Sequence, residues 1–179
     1  MPKRPFVKAE TTTVSPQKSR MEIETMLKRY GALGYSFSYN TETGEARVEF
    51  VVPDSPAKDA PRIPVRIPVN VCDVFDRMFG VPMRWDGSAQ KHVPRARPYT
   101  HDAKKMERAE CVAWRNLVLW IDAALSAATI GLRSIAQTFA GDRLVADESG
   151  VVVRVADLIE RGAGALPGGA RVLLLTGGQ

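Results

Sequence analysis

Arg62-Ile63-Pro64-Val65-Arg66-Ile67-Pro68-Val69 alternates apolar residues with arginine and proline at a period of two, the pattern of a strand with one buried face. N–H directions repeat with the same period, so Pro64 and Pro68 delete donors from one edge while Ile63, Val65, Ile67 and Val69 keep theirs on the other. Only an edge strand tolerates that loss. The prolines also discourage pairing with a second chain. Arg62 and Arg66 share the prolines' face, opposite the apolar one, and are available to a binding surface there.

Upstream the same period occurs twice more. Ala46, Val48, Phe50 and Val52 alternate with Arg47 and Glu49, and Leu33, Tyr35, Phe37 and Tyr39 alternate with Gly34, Ser36 and Ser38. Residues 40–45, with Gly44, supply a hairpin turn between them. Ahead of these strands, Ser19-Arg20-Met21-Glu22 has capping-box spacing. Ile23, Met26, Leu27 and Tyr30 then recur at helical steps until Gly31 stops the helix. Downstream, residues 71–79 read as a short helix ended by Gly80. Residues 102–128 read as a long one whose broad apolar face includes Met106, Ala113, Trp114, Leu117, Val118, Ile121 and Leu125. Trp114 and Trp120 both fall in the apolar part of that pattern and are expected to anchor the core.

A short helix over 132–140 turns Ile135 and Phe139 inward. Two strands over 143–146 and 151–155, a helix over 156–161 and a strand over 171–175 complete the chain. The glycines between 162 and 169 follow a helix and precede a strand, the wrong order for a dinucleotide fingerprint, and no Lys-Ser/Thr follows for a P-loop. The expected class is α+β: a helix followed by a three-stranded antiparallel sheet, packed by a long central helix, with a small C-terminal αβ region. Residues 1–18 form a flexible basic arm, 19–140 the main domain with a basic loop at 84–105, and 141–179 an appendage.

Charge is localised. The chain of 179 residues carries a net +5, yet residues 1–20 hold five Lys/Arg against one acid and residues 84–108 hold seven against three. The remainder is therefore slightly acidic. A basic patch on such a body is the footprint of polyanion binding, because neutralising phosphates releases counterions whatever the base sequence. Arg84, Lys91, Arg95, Arg97, Lys104, Lys105 and Arg108 are the candidate phosphate contacts, with Lys3, Arg4, Lys8 and Lys18 of the arm. Trp85 and Tyr99, interleaved with them, are candidate stacking platforms for unpaired bases.

Other chemistries lack support in the sequence. Cys72 and Cys111 stand far apart outside any Cys-x-x-Cys spacing, which argues against a disulfide framework and for a reducing compartment. His92 and His101 do not complete a zinc pattern. No nucleophile elbow or acidic cluster marks an enzyme, so neither catalysis nor a cofactor is expected. The N-terminus has no apolar core for a signal peptide and no run of about 18 apolar residues suggests a membrane partner, so the cytoplasm is the expected location.

At Lys18-Ser19-Arg20-Met21-Glu22-Ile23-Glu24, Leu27-Lys28-Arg29-Tyr30-Gly31-Ala32, Ala113-Trp114-Arg115-Asn116-Leu117 and Gly131-Leu132, the chain resembles an uncharacterised family of phage and prophage proteins. That resemblance implies a mobile-element setting in a bacterial host. The order helix, three strands, helix is loosely similar to the core of single-strand-annealing recombination proteins. This second likeness implies a DNA-binding role in replication or recombination, and a homo-oligomer. The leading expectation is a nucleic-acid-binding accessory protein for single-stranded DNA. The alternative is a protein-interaction factor, an inhibitor or adaptor of a host complex, that uses the same basic surface against an acidic partner.

Overall fold

In a computed structural model, residues 8–40, 43, 45–55, 57, 59–146 and 150–160 are described. The architecture is mixed α+β, and its centre is the sheet read above. Strands β1 (Gly34–Tyr39), β2 (Ala46–Pro53) and β3 (Arg62–Val69) pair antiparallel in the order β1-β2-β3. The register sets Phe37 opposite Val48, and Val48 opposite Ile67, so the apolar residues of all three strands share one face. Among them Val48, Phe50, Val52 and Val65 are buried. The opposite face is polar: Glu49 receives Arg66 Nε at 2.7 Å and lies 3.4 Å from Arg47 Nε.

β3 is an edge strand of this sheet, as its prolines require. Part of its outer edge is nevertheless used. The Arg66 N–H, which lies on the proline side, donates to the Asp142 carbonyl at 2.8 Å, and Val65 bridges to Arg143. The C-terminal region thereby joins the sheet between the two prolines.

Helices cover the apolar face. Helix α1 (Pro16–Tyr30) contributes Ile23 and Leu27, and helix α3 (Ala103–Thr129), in contact with α1, contributes Val112, Trp114, Val118 and Ile121. Helix α2 (Val71–Phe79) packs on α3 through Phe75 and Met78. α3 is long and apolar enough to cross a membrane by length and composition, with half of its most apolar window buried inside the protein. A four-residue helix, α4 (Ile135–Thr138), sinks Ile135 while Phe139 meets Phe50 edge-on at 5.7 Å.

The start of α1 differs from the expected capping box. The N-cap is Ser15, whose Oγ accepts from Lys18 N at 3.3 Å, and Pro16 follows it. Proline costs little in a first turn because its missing N–H is one of four with no intrahelical acceptor. Ser19 is instead buried inside the helix, its hydroxyl without a hydrogen-bond partner among the described residues. The end is as expected: Gly31, at φ 86°, lets its own N–H reach Lys28 O and the Ala32 N–H reach Leu27 O.

The arm expected over 1–18 is corrected on its C-terminal side. Residues 16–18 are helical, and the preceding segment lies on α3, where Asn116 Nδ2 donates to Lys8 O at 2.6 Å and Arg108 to Glu10 O at 3.4 Å. Lys3 and Arg4 lie outside the described residues, as do the Gly44 turn, the glycines at 162–169 and the strand expected at 171–175. The C-terminal hairpin forms from β6 (Leu144–Ala146) and β7 (Val152–Arg154), followed by α5 (Val155–Glu160). The basic segment holds β4 (Met83–Asp86) and β5 (Lys91–Pro94).

Candidate nucleic-acid interface

The basic segment is not a continuous loop. Residues 83–94 form a hairpin of two four-residue strands, β4 (Met83–Asp86) and β5 (Lys91–Pro94), which pair with each other and join neither of the other sheets. No residue of either strand is buried. The turn is well specified. Asp86 Oδ1 accepts from Ser88 N at 3.0 Å and Ala89 N at 3.3 Å, and these backbone donors hold its carboxyl below the usual range. Asp86-Gly87 was the available hairpin signal, obscured because strands this short show little apolar alternation.

Register divides the hairpin into two unlike faces. Trp85 lies opposite His92 and Met83 opposite Pro94, so these four share a face, and the Trp85 and His92 rings meet edge-on at 5.2 Å. Trp85 is 59% exposed. Arg84 lies opposite Val93 and Asp86 opposite Lys91 on the other face, and pairing continues where Arg95 N donates to Pro82 O at 2.8 Å. Arg84, Lys91 and Arg95 therefore share the second face. Each is exposed, and none makes an ion pair within 4.0 Å among the described residues.

Two of the expected site residues take part in the fold. Tyr99 is corrected from stacking platform to core residue: it is 1% exposed, its ring lies 4.8 Å from Phe75, and its hydroxyl accepts from Arg97 Nε at 3.3 Å. Burial pushes its phenol up from the ordinary value. Arg97, an expected phosphate contact, is 47% exposed and also ties the segment to α2, donating to Asp73 at 2.7 Å and to Asp76. Its bond to Tyr99, and then those to Asp76 and Asp73, raise the guanidinium pKa.

The cations of α3 separate by helical angle, about 100° per residue. Lys105 turns toward the hairpin root, where it shares a cavity with Arg95 and Met83, although Asp102 holds it at 3.3 Å. Lys104 and Arg108, one turn apart, border Thr11, Thr12 and Thr13 of the N-terminal segment. Lys18 is exposed on α1. The structure thus brings together Arg84, Trp85, Lys91, Arg95 and Lys105, and sets Lys104 and Arg108 on another surface. Trp120 also departs from its expected core role: it is 45% exposed.

Among the described residues no group of His, Cys, Asp and Glu is placed to hold a metal ion. Both cysteines are free, and burial raises each thiol above its ordinary value, so neither is an activated nucleophile. The candidate surface is an exposed β-arm, aromatic on one side and cationic on the other. No family model, curated protein or solved structure matches the chain.

The turn itself permits a test of the arm's order. Gln90 holds φ at 47°, a left-handed conformation that costs a residue with a Cβ about 1 kcal/mol and glycine much less. Gln90→Gly should slow amide exchange across β4 and β5, within the part of that gain not offset by glycine's entropy. Faster exchange in the variant would show that the turn is not under this strain.

Proposed function

We propose that this chain is a nucleic-acid-binding accessory protein acting on single-stranded DNA, in the phage or mobile-element setting that its sequence suggests. One observation carries the reading: an exposed hairpin presents Trp85 and His92 on one face and Arg84, Lys91 and Arg95 on the other. A hairpin two strands wide with no buried residue is marginally stable in water, so its own packing does not account for an exposed indole there. Bases stack on such rings without regard to sequence while cations follow the backbone.

The division of faces favours a single strand over a duplex. Strand axes lie only about 5 Å apart, so a flexible strand following the hairpin's edge reaches both faces. A duplex is stiff over about 150 bp and its bases are already stacked, so it meets one face and leaves Trp85 unused.

Fluorescence-anisotropy titration with labelled single- and double-stranded oligonucleotides at two salt concentrations tests this. The expected result is tighter binding of the single strand, with Trp85→Ala weakening it by about 5- to 100-fold, the effect of losing one stacked base. Binding of neither oligonucleotide would overturn the reading. A protein partner would then become the better account, since Val81 and Met83 extend the exposed apolar surface beside Trp85.

A further inference from the structure

Trp120 has an environment unlike that of the other indole on α3. Trp114 is fully buried with the Arg20 guanidinium 4.3 Å over its ring, whereas Trp120 touches Phe139 edge-on at 5.9 Å and otherwise opens on a cavity. That cavity, about 490 Å³, lies between the N-terminal segment, the start of α2 and the outer side of α3. Lys8, Asn70, Arg77, Asn116, Leu117 and Trp120 line it.

Its chemistry is specific in three respects. Lys8 and Arg77 make no ion pair within 4.0 Å among the described residues, and Asp73 of the lining is already engaged by Arg97 at 2.7 Å. The walls therefore carry excess positive charge. Asn116 spends its amide N–H groups on Lys8 O at 2.6 Å and Val112 O at 2.8 Å, which leaves Oδ1 as an acceptor. Asn70 stands at the N-cap of α2 without making a side-chain cap bond, so its amide retains both donors and an acceptor for a ligand. An open indole, two unpaired cations and two amides with polar atoms to spare together match one nucleotide: a ring to stack, a phosphate and a hydrogen-bonding base edge.

We propose that this cavity is a second subsite that holds one unpaired nucleotide of the same strand, its base against Trp120 and its phosphate between Lys8 and Arg77. The inference rests on the nucleic-acid reading of the hairpin. Asp73 connects the two places, because it lines the cavity and also holds Arg97, two residues beyond Arg95 at the hairpin's end. A strand that leaves the hairpin root needs only to cross α2, a cylinder about 10 Å wide, to enter the cavity. A duplex lacks an unpaired base to place there, which again selects single strands.

Two readouts test the subsite, both with an oligothymidylate of roughly 16 nucleotides, the upper site size of a single binding fold. In a Trp85→Phe background Trp114 is buried and Trp120 is the accessible indole, so bound oligonucleotide should quench the remaining accessible fluorescence. Adding Trp120→Phe should abolish that quenching. By anisotropy, Trp120→Ala should cost about 10-fold in affinity and Arg77→Gln with Lys8→Gln about 5-fold, the latter with a shallower salt dependence. The exposed cation variants carry the test should Trp120→Ala lose its fold. Wild-type binding with no quenching and every variant within twofold would overturn the subsite and leave the hairpin reading standing. No binding by the wild type would overturn both.

Discussion

Tyr99→Ala is expected to destabilise the protein by about 3–5 kcal/mol, the range for removing a large aromatic from a packed interior. Against a total of about 5–15 kcal/mol for a domain, that approaches unfolding. The magnitude follows from its surroundings. The ring is buried on Phe75, which in turn meets Phe79 at 5.1 Å, so truncation opens a cavity where the basic segment attaches to α2. It also frees the Arg97 Nε that donates to the hydroxyl. Tyr99→Phe keeps the ring and loses one hydrogen bond, and should cost about 1 kcal/mol with DNA affinity unchanged. Urea melts of the two variants decide the role of this residue. A stacking residue would give the reverse pattern, with stability within about 0.5 kcal/mol of wild type and affinity lost in the alanine variant.

Tyr99 also illustrates which features of the chain are legible in its sequence. Strand β3 matches its expected range because proline position, apolar alternation and edge placement are local constraints that agree. α2 matches for a similar reason, with five apolar residues on one face and Gly80 at its end. The start of α1 does not, since two serines compete as caps and Pro16 decides between them through the first-turn rule. Tyr99 and Trp85 are harder still. Both stand among arginines with no periodicity around them, and only the tie from Arg97 to α2 draws one into the core while the other projects on a hairpin. Trp120 is hard to place for the opposite reason. Its place in an apolar helix predicts burial, but a helix of 27 residues that packs on α1, α2, α4 and the sheet leaves an outer side uncovered. Periodicity locates a side chain on an element and not relative to its tertiary neighbours.

Replacing the three cations of the hairpin should have the largest effect on binding and almost none on folding. The informative variant is Arg84→Glu with Lys91→Gln and Arg95→Glu. Lys91 is neutralised and not reversed because Asp86 lies directly opposite it, and a glutamate there would set like charges across the pair and weaken the hairpin under test. Arg97 is left intact, since a glutamate beside Asp73 and Asp76 would place a third carboxylate where a guanidinium is needed. The three hairpin cations, on phosphates of a single strand, should contribute about −2 to the slope of log K against log salt, so through them a fourfold rise in salt costs wild-type affinity about 20-fold. The variant should bind at least about 100-fold more weakly at low salt. Its slope should flatten, because the counterions those cations released are no longer displaced. Its thermal melt should remain near that of wild type, as all three side chains are exposed and make no ion pair within 4.0 Å among the described residues. Affinity and slope both unchanged in a variant with a wild-type melt would remove the hairpin from the interface and leave Lys104, Arg108 and the N-terminal segment as the basic surface to test next.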